Sequence, residues 1–270
     1  DQKKYIPLIT PTNEYVKVNY VLLNHSLQLN PENLWAGKDK KKGWQSFFSR
    51  FSDQLSVQIN NRVLSGAGFS AFNPFAPQIN DTNIIANLTT LSNTFFFNRN
   101  SATWGGEYTT AYNAGKSLLT YRLEGNNQLR HTAKLRWTFF RSITGNITAQ
   151  TGERAYRSSL DDGRSYEVEQ NNIEPSLTWI LRSAFRITGG YKLDDRRNRP
   201  GLGGEKAVIQ SVNLDARITT GSLGTIQARG TYANITYNGA ANTSLSFVML
   251  DALQKGTNWL WYLNWERRMS

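Results

Sequence analysis

Residues 129–139 read Leu129-Arg130-His131-Thr132-Ala133-Lys134-Leu135-Arg136-Trp137-Thr138-Phe139. The odd positions give Leu, His, Ala, Leu, Trp and Phe, while the even positions give Arg, Thr, Lys, Arg and Thr. Side chains along a strand point alternately to the two faces, so this period of two makes one apolar face and one basic face. A run of roughly 10 residues is also what a tilted strand needs to cross a bilayer. A charge on the lipid side at mid-depth would cost about 2–4 kcal/mol, so if the apolar face meets lipid the cations must point into an interior.

The same alternation recurs on both sides of this stretch. Phe185, Ile187, Gly189, Tyr191 and Leu193 oppose Arg186, Thr188, Gly190, Lys192 and Asp194. Val212, Leu214, Ala216 and Ile218 oppose Asn213, Asp215 and Arg217, and Ile226, Ala228, Gly230 and Tyr232 oppose Gln227, Arg229 and Thr231. Earlier in the chain, Leu55, Val57 and Ile59 oppose Ser56, Gln58, Asn60 and Arg62, and residues 117–125 alternate as well. The expected fold is all-β: a transmembrane antiparallel β-barrel of about 12 to 14 strands occupying residues 1–270 as one domain, clearest from Asn93 to Tyr237.

The connections carry a second signal. Short turns are expected at Asn113–Lys116, Arg141-Ser142, Arg182-Ser183 and Thr219–Leu223, all at one end. The intervening connections, at Asn126–Gln128, Gly152–Gly163, Asp194–Glu205 and Asn238 to Gly256, are mostly long. Short turns at one end and long loops at the other characterise outer-membrane barrels, whose short turns face the periplasm. A soluble sandwich gives no reason for such an asymmetry. Trp137–Gly145 and Trp179–Gly189 share Trp, a few residues, Arg-Ser, and a strand ending Thr-Gly, as two equivalent hairpins would. Residues 30–43, basic at Lys38–Lys42, and 66–81, with Phe69, Phe72, Pro74, Phe75 and Pro77, are too irregular for strands and read as loops or plugs.

Composition narrows the classes further. With 39% hydrophobic and 12% aromatic residues the 270-residue chain is not a disordered one. A mean hydropathy of -0.51 excludes a bundle of membrane helices but not a barrel, whose strands show only half their side chains to lipid. The absence of cysteine removes disulfides, thiolate chemistry and Cys-based metal sites. The Asp1–Ile6 start has no apolar signal-peptide core, which fits a mature chain, a cytosolic one, or a piece of a longer one.

From Asn93 onward the chain resembles the C-terminal barrel region of large Bacteroidota outer-membrane proteins. The resemblance rests on Asn93-Thr-Phe-Phe-Phe-Asn-Arg99, Trp104-Gly, Glu107-Tyr-Thr, Lys116-Ser-Leu-Leu119, Arg136-Trp137 and Ile173-Glu-Pro-Ser-Leu177. The most distinctive part is Met249-Leu-Asp-Ala-Leu-Gln-Lys-Gly256-Thr-Asn-Trp-Leu-Trp261, leading to Arg267-Arg268. It implies a cell outer-membrane location, one further strand after Arg268, and a terminal anchor of a long multidomain protein. In that frame Ser270, with no terminal aromatic, marks a fragment.

The net charge of +11 raises nucleic acid, anionic lipid or a basic lumen as its meaning. The cations Arg122, Arg130, Lys134, Arg136, Arg186, Lys192, Arg217 and Arg229 all fall on the polar face of alternating strands. Interleaved with apolar residues, they form no patch with stacking aromatics, so no nucleic-acid partner is expected. Glu107, Glu124, Glu167 and Asp215 are expected on the same face. The interior is then either a ladder of cross-strand ion pairs or an anion-attracting pore. Trp104, Trp137, Trp179, Trp259, Trp261 and Trp265, with Tyr112 and Phe139, read as girdle residues at headgroup depth.

Catalytic chemistry finds little to work with. His25-Ser26 point to opposite faces, and His131 is followed by Thr132 and Ala133, so neither makes a local dyad. Asp161-Asp162 and Asp194-Asp195 read as solvated turn formers or ion-pair partners of Arg196, Arg197 and Arg199. No catalytic residue, no metal site and no cofactor is expected. The expected partners are the lipid bilayer, lipopolysaccharide and other outer-membrane or periplasmic proteins. The leading role is a non-enzymatic membrane anchor or scaffold subunit, and the rival is a passive or gated pore for solute or polypeptide.

Overall fold

A computed structural model of the chain describes residues 17–35, 43–66, 84–119, 122–159, 164–182, 184–220 and 224–267. These residues form one antiparallel sheet of eleven strands, each hydrogen-bonded to its neighbours in the sequence. The strands are β1 (Val18–Leu29), β2 (Phe51–Leu64), β3 (Ile84–Phe97), β4 (Trp104–Leu119), β5 (Arg122–Phe140), β6 (Ile143–Ser158), β7 (Tyr166–Leu181), β8 (Phe185–Asn198), β9 (Lys206–Thr220), β10 (Gly224–Tyr237) and β11 (Gly256–Glu266). Two short helices, α1 (Gly43–Phe48) and α2 (Ser244–Met249), lie in the β1–β2 and β10–β11 connections. Among the described residues β1 and β11 each have one neighbour, so the sheet is open there.

Among the described residues there are eleven strands against the expected 12 to 14, and part of the difference lies in β4 and β5. The turns expected at Asn113–Lys116 and Asn126–Gln128 are strand interiors that pair with each other, Asn113 opposite Gln128 and Lys116 opposite Gly125. Asn and Gly mark turns by local preference, but here the ladder continues through them, and the real reversal lies between Leu119 and Arg122. The long connections are likewise shorter than expected, because β6 runs on to Ser158 and β8 to Asn198. Asp194-Asp195 is therefore in a strand and not in a rim loop. From β5 onward the asymmetry of the two ends holds: the connections at 141–142, 182–184 and 221–223 are short, and those at 159–165, 199–205 and 238–255 are longer. We call these the turn end and the loop end. Asp161-Asp162 and, past Gly66, the 66–81 stretch lie outside the described residues. In 30–43, Pro31–Trp35 is a short 3-10 helix and 36–42 lies outside them.

The registers assign every side chain to a face. Trp104, Trp137, Leu135, Ile147, Leu177, Leu214 and Trp261 share one face, with Gly106, Gly145, Gly189 and Gly230 among them. Its large residues stay exposed, Trp261 at 83% and Trp137 at 62%. The opposite face carries Glu107, Arg130, Lys134, Asn146, Ser176, Thr188, Asp215 and Gln227.

This polarity reverses toward the loop end. Along β9 the apolar face reads Ile218, Ala216, Leu214, Val212, then Gln210, Val208, Lys206, while the other face reads Arg217, Asp215, Asn213, then Ser211, Ile209, Ala207. On β8 the apolar row Phe185–Leu193 ends in Asp195 and Arg197, and on β7 the row Trp179–Ile173 ends in Asn171, Glu169 and Glu167. In this region the formerly polar face becomes the core: Tyr166, Val168, Ala207, Ile209, Ile235 and Tyr237 are buried together with Met249 and Leu250 from the β10–β11 connection. The sheet therefore has two zones. One keeps its apolar residues on an exposed face, and the other buries them as a water-soluble protein does.

Candidate functional site

The exposed apolar zone has a definable height. From Trp137 to Leu129 on β5, and from Phe185 to Leu193 on β8, it spans eight residue steps, about 27 Å at ~3.4 Å per residue. Tilted by the roughly 40° usual for outer-membrane strands, that length rises about 21 Å, near the apolar band of about 25 Å that such barrels present. At the turn end of the zone aromatic rings follow one another across the strands. Phe51 and Phe97 lie 4.7 Å apart, Phe97 and Trp104 5.3 Å, Trp137 and Phe139 5.4 Å, and Trp179 and Phe185 5.8 Å. Trp265 is the matching residue on β11, while Trp259 and Trp261 stand further along that strand, Trp259 4.7 Å from Tyr232. Two polar pairs lie on this face: Asn93 Nδ2 donates to Asp53 at 3.1 Å, and the Tyr108 hydroxyl lies 2.9 Å from His131 Nδ1.

On the polar face, Lys134 Nζ sits 3.3 Å from Glu107 and Arg229 Nη2 2.9 Å from Asp215. Arg136 Nη2 donates to the Ser101 carbonyl at 2.6 Å. Arg186 and Arg217 are register partners, two exposed cations directly across from each other. Arg130 lies beside the connection described next, and Arg122 opens β5 opposite Leu119. Glu167 is not on this face. Its register with Ala155 puts it on the opposite one, where it binds Arg199 at 2.9 Å, because the reversal of polarity has already occurred at that height.

The most elaborate contact is at the loop end. The Asp194 side chain is fully buried and takes Lys192 Nζ at 3.0 Å and Arg196 Nη2 at 2.8 Å. Arg196 also donates from Nη2 to Asp251 Oδ2 at 2.6 Å and from Nη1 to the Val248 carbonyl at 2.7 Å. One guanidinium thus ties β8 to the β10–β11 connection. That connection folds back because α2 has a complete N-terminal capping box, Thr243 with Ser246, and delivers Met249, 0% exposed, onto Ile209 and Ile235. Val248 and Asp251 share a cavity of about 60 Å³ with Arg130, Gln150, Arg154, Gln170 and Arg196, so the connection reaches over the polar face of β5–β8. Sequence reasoning missed Asp251 and Met249. The signal was there in Ala207-Val208-Ile209 and in Ala233, Ile235 and Tyr237, where apolar residues change face.

Asp195 pairs with Arg197 at 2.7 Å, as the ion-pair reading of the doublet expected. His25, opposite Val57 on β1, and His131, held between Tyr108 and Thr110, lie on separate strands of the apolar face. Among the described residues no group of three His, Asp or Glu is placed to hold a metal ion. No helix among them is long and apolar enough to cross a membrane.

Comparison with protein-family models and with curated proteins returns no match. Among solved structures, the chain is similar to OmpT of Vibrio cholerae, an outer membrane protein folded in vitro and seen in its trimer form. The TM-score is 0.40 at 8% identity, over 83% of this chain and 90% of that one.

Proposed function

We propose that this chain forms the wall of an outer-membrane β-barrel, with lipid against the apolar face and the polar face turned inward, and that it anchors a larger outer-membrane or cell-surface assembly without catalysing a reaction. The observation that carries the membrane reading is the reversal of polarity within single strands. A sheet exposed to water throughout has no use for a change of face at Val212/Gln210, whereas a sheet leaving hydrocarbon for water must make one. The anchor role is favoured by the β10–β11 connection, which covers the polar face and is fixed by Arg196. In this reading β1 and β11 run in the same direction, so a wholly antiparallel closure takes an odd number of further strands between their edges.

The rival is an open or gated pore, and one observation favours it: Arg186 and Arg217, opposed without a carboxylate between them, would attract anions to the interior. Planar-bilayer recording of the purified chain separates the two. Silence in the wild type, with co-purifying outer-membrane proteins, is expected for the anchor. Stable large channels would overturn it in favour of the pore. A chain that stays monodisperse in water without detergent would overturn both.

A further inference from the structure

A groove of about 610 Å³ runs along the apolar face across β5–β8, walled by Leu135, Trp137, Phe139, Ile147, Leu177 and Tyr191. That volume lies within the roughly 300–1,000 Å³ of ligand sites. The sequence makes the groove in two ways. Gly145 and Gly189 put no side chain on this face, and a Cβ built on Gly189 would meet nothing within 4 Å. Pro175 stands in a central strand, where it can donate no ladder hydrogen bond, and the β7–β8 register is interrupted there, between Ile173–Leu193 and Ser176–Gly190.

The turn-end mouth of the groove is basic. Phe139 and Phe140 lead directly into Arg141, and Leu177 leads through Trp179 and Leu181 to Arg182, both arginines being exposed. They continue a row in which the turn-end connections before them carry Arg50 and Arg99. No salt bridge to any of the four is present among the described residues. A hydrocarbon slot that opens beside unneutralised guanidiniums, level with a row of aromatic rings, has the chemistry of one amphiphile: an acyl chain below and an anionic phosphate above.

We propose that this groove binds an anionic phospholipid of the leaflet at the turn end, its acyl chain lying over Gly145 and Gly189 and its phosphate between Arg141 and Arg182. This rests on the membrane reading above. It adds to that reading a specific site where an undifferentiated lipid surface would otherwise be expected.

The test uses the 270-residue chain inserted into vesicles of phosphatidylcholine and phosphatidylglycerol, extracted in mild detergent, with the retained lipid quantified by mass spectrometry. The variants are Gly189→Leu, whose Cβ would meet nothing within 4 Å and whose side chain would enter the groove, and Arg141→Gln with Arg182→Asn. Asn is chosen because Arg182 has φ 50°, which Asn tolerates. Retained phosphatidylglycerol is expected to fall roughly fivefold for each arginine removed, from about 1 kcal/mol per cation at the surface. Gly189→Leu is expected to abolish retention of either lipid. Equal retention by wild type and all variants, in protein that has inserted, overturns the site but leaves the membrane reading intact. Failure to insert overturns the membrane reading itself. A change of oligomeric state in Gly189→Leu would assign the groove to a second copy of the chain and overturn the lipid, as would variants that shift retention of added lipopolysaccharide in place of phospholipid.

Discussion

Arg196 Nη2 donates to Asp251 Oδ2 at 2.6 Å, joining the middle of the sheet to the connection that leads into its last strand. The same nitrogen meets Asp194, whose side chain has no exposure at all. Removing Arg196 leaves the buried Asp194 carboxylate to Lys192 and Gln170 and takes away the tether to Asp251 and the Val248 carbonyl, at a cost of up to about 3–5 kcal/mol. Arg196→Met is therefore expected to detach the 238–255 connection. Limited proteolysis should cut between Asn238 and Lys255 in the variant and spare the wild type. The double variant Arg196→Met with Asp194→Leu should recover part of the lost Tm, since no buried carboxylate is then left with a reduced set of partners, while the connection stays open to protease; a double variant no more stable than the single one would contradict this.

Met249 packs at 0% exposure among Ile209, Ile235 and Tyr237, so Met249→Ala should cost about 2–5 kcal/mol and lower Tm in detergent. Trp261→Ala, at an 83% exposed position, should leave Tm in detergent nearly unchanged and instead weaken partition into vesicles.

Arg186 and Arg217 oppose each other across β8 and β9. Like charges directly across a ladder are destabilising, by roughly 0.2–1 kcal/mol, and salt screens the effect. Arg217→Gln should stabilise the protein at low ionic strength, with the gain shrinking as salt rises. Denaturant titrations at two salt concentrations read this directly, and a variant less stable than wild type at low salt would show that an anion or an acid on another segment already bridges the pair.

Gly201 and Arg141 mark opposite ends of the sheet, and the chain has no cysteine of its own. On intact cells, Gly201→Cys should react with an impermeant maleimide, and Arg141→Cys should react only after the outer membrane is opened. The reverse pattern would invert the topology.

The period of two in residues 129–139, 185–193 and 212–218 made the strands and their faces legible, because alternation is a local property. The turn between Leu119 and Arg122 was not legible, since nothing local distinguishes it from Asn113–Lys116 or Asn126–Gln128, and only cross-strand pairing decides among them. The ion-pair reading of Asp194-Asp195 held, while their placement in a loop did not, because a run of charges at a strand end resembles a loop until the cross-strand ladder that continues through it is known. The second carboxylate of Arg196, Asp251, lies 55 residues from it, beyond the reach of any pattern of spacing.

The reversal of polarity along β9 is the feature on which the membrane reading stands, and depth measurement tests it most directly. Single nitroxide labels at Leu214, Val212, Val208 and Lys206 share one face and differ in height. In vesicles, labels at Leu214 and Val212 are expected to collide with oxygen and be shielded from a water-soluble nickel complex, with the order inverted at Val208 and Lys206. Aqueous accessibility at all four positions, in folded protein bound to vesicles, would contradict the membrane reading.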